Sequence, residues 1–184
     1  RSNFALESAV GADTGANGGG TARFFDRAAW AGLSGGAGEI RLGRQDSSIG
    51  ALAGDTSILG GQAYDDLKIV GTRAADTYRR VDNAITYVLP TVVQGVTAQI
   101  QYSTAAVGNT PTTCTAPCTP GAVDTAVAGA ESTGSAGKTY GLSIKYTEGP
   151  VLAGLGYLNA KDENSVTAGD KRANAVLVYG GYDL

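Results

Sequence analysis

The feature that most constrains this chain is the rhythm of its connections. Segments of about ten residues with period-two alternation are joined by connections that run long, short, long, short, long, short, long. Such an order gathers the tight turns at one end of the strands and the extended loops at the other. A barrel inserted into a membrane from one side has that asymmetry, whereas a soluble β-sandwich mixes loop lengths at both ends. Ten residues at about 3.3 Å each, tilted near 45°, cover roughly 23 Å, close to the apolar band of such a barrel.

Taken in order, Asn3 to Val10 sets Phe4, Leu6 and Val10 against Ala5, Glu7 and Ala9, and residues 11–22 form a loop of Gly, Asp, Thr and Asn. Phe24 to Leu33 is the next strand, Ser34 to Gly38 a glycine turn, and Glu39 to Gln45 the return. Residues 46–79 then lack clean periodicity, and an irregular excursion of that length in a compact domain usually has a job. Arg80 to Leu89 places Arg80, Asp82, Ala84 and Thr86 on one face and Val81, Asn83, Ile85, Tyr87 and Leu89 on the other. After a turn from Pro90 to Gly95, Val96 to Ser103 alternates most cleanly, with Val96, Ala98, Ile100 and Tyr102 against Thr97, Gln99, Gln101 and Ser103.

Residues 105–137 read as a long loop, and Lys138 to Thr147 sets Tyr140, Leu142, Ile144 and Tyr146 against Thr139, Gly141, Ser143 and Lys145. Glu148 to Pro150 is a turn, Val151 to Leu158 a strand, residues 159–171 a polar loop, and Ala173 to Leu184 a last strand of unfixed register. Tyr87, Tyr102, Tyr146 and Tyr157 suit an interfacial aromatic girdle, although tyrosine also packs well in any sheet.

Charges test the membrane reading, because an Arg or Lys facing lipid at mid-depth costs about 2 to 4 kcal/mol. Glu7, Arg41, Arg80, Asp82 and Lys145 all fall on the parity away from lipid, facing the lumen; Arg44 falls on the wrong one, at a strand end.

Composition excludes other classes. There is no histidine, so histidine-dependent triads and most zinc sites are ruled out. The net charge is −3 with scattered Lys and Arg, which excludes a nucleic-acid partner. No stretch approaches the roughly 18 apolar residues of a membrane helix. Cys114 and Cys118 read as a small loop disulfide if the chain is exported, or as two free thiols, and their loop lacks further metal ligands. No metal, cofactor or enzymatic activity is expected. The adjacent carboxylates Asp65 and Asp66 are not the held, separated pair that glycoside hydrolysis needs.

The segments Phe4 to Ser8, Arg27 to Gly35, Gly38 to Gln45, Arg80 to Tyr87 and Tyr140 to Tyr146 resemble, in this order, the general diffusion porins of β-proteobacteria such as Neisseria, Bordetella, Burkholderia and Comamonas. The signatures Leu-Gly-Arg-Gln (42–45) and Asp-Asn-x-Ile-x-Tyr (82–87) are fairly specific in combination and weak alone.

The resemblance implies an all-β, antiparallel transmembrane barrel of sixteen strands. Residues 1–184 would form a single partial domain holding about eight of them, a fragment lacking both ends. It further implies a homotrimer in the outer membrane of a Gram-negative bacterium, in contact with its lipids, passing small hydrophilic solutes and inorganic ions. Residues 46–79 would be the loop folded inward to narrow the pore, carrying Asp55, Asp65, Asp66 and Asp76, although they lack the family's Pro-Phe-Gly element. Facing them, Arg27 and Arg80 match the family's basic wall, with Arg79 adjacent and Arg41 beside them. Acids facing a basic wall across a narrow aqueous gap create a transverse field that sets ion preference, and the wall arginines lean toward anions. The rival reading is a secreted glycine-rich β-sandwich, an adhesin or carbohydrate-binding protein; it accounts for the 28 glycines but not for the parity of the charges.

Overall fold

The computed structural model describes residues 1–13, 24–56, 80–104, 138–162 and 171–183. Its strands are β1 (Ser2–Glu7), β2 (Ala28–Gly35), β3 (Gly38–Asp46), β4 (Arg80–Val88), β5 (Val96–Ser103), β6 (Lys138–Glu148), β7 (Val151–Asp162) and β8 (Lys171–Tyr182), with one helix, α1 (Gly50–Thr56), after β3. They form one eight-stranded sheet in sequence order, each strand antiparallel to the next. This is the expected all-β architecture, and it fits part of a barrel.

The polarity of the sheet is inverted relative to a water-soluble one. On one face Phe4, Leu33, Ile40, Leu42, Ile85, Ile100, Leu155, Val176 and Val178 are exposed. On the other, Gln45, Thr86, Gln101, Ser103, Thr139 and Ser143 are buried. In water, large apolar side chains are the ones that burial favours, and an exposed face of them needs a cover. Lipid is such a cover.

The polar face carries α1. Ile49 and Leu52 are 3% exposed, and Ile49 forms a cluster with Val81, Ala84 and Leu158, flanked by Ala175 and Leu177. That cluster joins β4 to β7 and β8, strands three and four places apart, or about 14 to 19 Å across a flat sheet. The two halves of the sheet are therefore drawn around α1.

Four details differ from the sequence reading. A helix opens the excursion expected to be irregular: Ser47 Oγ accepts the Gly50 N–H at 3.0 Å and Ser47 O accepts the Ala51 N–H at 2.8 Å, so a serine cap starts α1 despite its glycines. β7 and β8 extend through residues expected to be polar loop, pairing up to Asp162 with Lys171. That pairing also fixes the register of β8, from Val151 opposite Tyr182 onward.

The fourth is in β4. Gly43 pairs with Ala84 but Gln45 pairs with Val81, so Asp82 and Asn83 together oppose Arg44 in a bulge, with Asn83 at φ 49°. Asparagine tolerates that left-handed conformation better than most residues. The bulge shifts the alternation, so Val81 joins Ala84 and Thr86 in the interior at 0% exposed, instead of sharing a face with Ile85.

Candidate functional site

The site is built on the polar face, where α1 descends along the wall. Gly141 lets Ser48 close on β6, since a Cβ there would meet Ser48 Cβ at 2.9 Å. Leu52 packs over Gly156, which pairs with Ser143, and Asp55 reaches Lys145. From Ser48 to Asp55 a helical rise gives about 10 Å, and from Gly141 to Lys145 the strand advances about 13 Å. The two lengths match closely enough for α1 to run alongside β6, from the long-loop end of the strands toward the tight-turn end.

The second part is basic. Arg27, Arg41 and Arg80 line one cleft of about 250 Å³ with Glu7, Trp30 and Asp46. Arg41 lies over the Trp30 ring, 4.7 Å from its centroid, and pairs with Glu39 at 2.7 Å. Arg27 lies 3.6 Å from Glu7, and Arg80 lies 3.5 Å from Asp46. The cation–π contact and the paired carboxylates fix the directions of the guanidiniums.

Of the residues singled out from the sequence, this cleft gathers Arg27, Arg41, Arg80 and Glu7. Asp55 and Lys145 meet elsewhere, on the wall of β6. Asp82, expected to face the lumen with Ala84 and Thr86, is displaced from that face by the bulge and pairs with Arg44 at 2.6 Å. Arg79, Asp65, Asp66, Asp76, Cys114 and Cys118 lie outside the described residues.

Sequence reasoning missed Trp30, Glu39, Asp46 and Tyr179. Trp30 and Glu39 share the parity of Arg41 through the β2–β3 pairing, a signal present in the sequence. Tyr179 had none, because its strand could not be placed in register. The four tyrosines expected to suit a girdle are all on the apolar face, where the Tyr102 and Tyr140 rings meet at a 45° tilt with centroids 5.2 Å apart and the Tyr87 hydroxyl donates to the Ala37 carbonyl.

A family model described as Gram-negative porin matches residues 1–184. Among solved structures, an anion-selective porin from Comamonas acidovorans is similar with a TM-score of 0.63 and 20% sequence identity, over 98% of this chain and 48% of that one. The chain thus spans about half the length of that structure. No curated protein sequence matches it significantly. Among the described residues no helix is long and apolar enough to cross a membrane, which leaves crossing by strands open.

Proposed function

Because the chain belongs to the Gram-negative porin family and is a protein of the outer membrane, we propose that its polar face lines a water-filled channel through which small hydrophilic solutes and inorganic ions diffuse passively, anions in preference to cations. The observation that carries this reading is the inverted sheet: apolar side chains exposed on one face, and α1 with its charged neighbours on the other. Residues 46–79 act as the inward loop that narrows the passage, and the lie of α1 along β6 supports that role for their first part. Arg27, Arg41 and Arg80 form the basic wall, and Arg79, next to Arg80 in the sequence, joins it in this reading. Asp65, Asp66 and Asp76 supply the facing acids. Lys145 and Glu7 border the same aqueous space. Cys114 and Cys118 close a small disulfide loop in the oxidising compartment outside the inner membrane.

The family and the fold are those of channels. Transport then needs no reacting group: solutes move down their gradients, selected by the width of the constriction and the balance of its charges. The family resemblance supports a homotrimer seated in outer-membrane lipid.

Planar-bilayer recording of the complete protein tests this reading. Stepwise channels are expected, with a reversal potential on the anion side in a salt gradient that moves toward zero in Arg80→Ala. Cation preference in the wild type would remove the selectivity proposal, and absence of channels from a correctly folded protein would remove the pore.

A further inference from the structure

Asp55 lies away from the arginine cleft, and both of its carboxylate oxygens are engaged. Lys145 Nζ donates to Oδ1 at 2.8 Å, and the Tyr179 hydroxyl donates to Oδ2 at 2.8 Å. Lys145, Gly154 and Tyr179 form one rung across β6, β7 and β8. A Cβ on Gly154 would run into the ring and hydroxyl of Tyr179, so the glycine is what lets that side chain lie across β7 toward Asp55. The Lys145 and Asp55 side chains are 35% and 21% exposed, so the pair still meets water.

We propose that Asp55 is a specificity-determining clamp: it pins the far end of α1 to the wall and cancels the charge of Lys145, confining the positive potential of the lumen to the arginine cleft. The proposal rests on the pore reading. It gives Asp55 a different part from a free carboxylate facing the arginines across the gap, because its partners are on the wall beside it. An ion passing this rung meets a neutral pair, whereas at the cleft it meets three guanidiniums against two carboxylates, Glu7 and Asp46.

Reversal potentials and open-channel noise of the complete protein test the clamp. Asp55→Asn keeps the side-chain size and exposes the lysine charge; the anion-to-cation permeability ratio rises about two- to threefold, the scale of one unit charge acting through water over about 6 to 10 Å. Adding Lys145→Gln to Asp55→Asn returns the ratio to the wild-type value. Tyr179→Phe and Gly154→Ala raise the noise, because each loosens α1 without altering charge. Lys145→Gln alone lowers the ratio, and it keeps the test available if Asp55→Asn fails to fold. A wild-type ratio in Asp55→Asn, or a double variant as anion-preferring as the single one, would overturn the clamp. Wild-type protein that is folded but forms no channels would instead overturn the pore reading, leaving the two failures distinct.

Discussion

Arg44 and Asp82 are joined on the apolar side of the sheet, with Arg44 Nη1 2.6 Å from Asp82 Oδ1. Arg44 pairs across the strands with Ala29, on the same parity as Leu42 and Ile40, yet it is only 6% exposed. Its Nε donates to the Asp26 carbonyl at 2.8 Å. An arginine on the lipid parity is thus accommodated by a partner that the β4 bulge delivers and by a backbone carbonyl that folds over it.

Removing Asp82 takes a close carboxylate from a buried arginine. Asp82→Ala is expected to cost about 3 to 5 kcal/mol, the scale for breaking a buried pair from one side. Replacing both residues with apolar ones of similar volume recovers most of it. Urea unfolding of the complete protein in lipid vesicles measures both.

The close approach of α1 to the wall makes a second demand. Gly141→Val sets a branched side chain where Ser48 already stands. We expect a loss of about 1 to 3 kcal/mol, typical of overpacking, and a changed single-channel conductance as the start of α1 shifts. Gly149→Val, at a turn where a Cβ meets nothing within 4 Å, pays only for its φ of 55° and leaves conductance alone.

Which parts of this were legible in the sequence follows from how local their signals are. Val96–Ser103 alternates cleanly and its strand appears with the bounds expected. The glycine turn between β2 and β3 was equally plain, because Gly38 sits at φ 113°, where few other residues fit. The bulge was not legible, since nothing in Asp82-Asn83 distinguishes a residue in left-handed conformation from one more residue of a strand. Nor was α1, whose Gly-Ala-Leu-Ala-Gly run has poor intrinsic helicity and is held by Ser47 and by packing. The ends of β7 and β8 are polar and unpatterned, and pairing with each other is what makes them strands.

The site divides the same way. Arg41 announced itself by parity and Arg27 only through the family resemblance, while Arg80 lies beyond the bulge, opposite Asp46 instead of in step with Ala84. Asp55, Lys145 and Tyr179 are brought together from positions 90 and 124 residues apart, a meeting that only the curled sheet produces.

A charge placed on either face separates lipid from lumen by energy. Val178→Lys, on the apolar face of β8, is expected to cost about 2 to 4 kcal/mol near the bilayer midplane. Thr97→Lys, exposed on the polar face of β5, costs under about 1 kcal/mol because its ammonium stays in water. Folding free energies into vesicles give the comparison, and equal costs for the two would count against a sheet with one face in lipid.

Selectivity at the cleft has its own test. Arg41→Ala removes the cation held over Trp30 and frees Glu39 from its partner. The anion-to-cation ratio is expected to fall by more than in Arg27→Ala, whose guanidinium lies nearer the outer edge of the sheet, 3.6 Å from Glu7 of β1. Reversal potentials in a salt gradient rank the two.

The measurement that tests the central claim most directly is solvent access along β5. Single cysteines at Thr97, Ala98, Gln99 and Ile100, with Cys114 and Cys118 replaced by serine, are challenged in vesicles with a membrane-impermeant thiol reagent and, after labelling with a fluorophore, with a lipid-phase quencher. The account predicts reaction with the aqueous reagent at positions 97 and 99 and quenching from the lipid at 98 and 100. Equal reaction with the aqueous reagent at all four positions would contradict it, because the apolar face of the sheet would then lie in water.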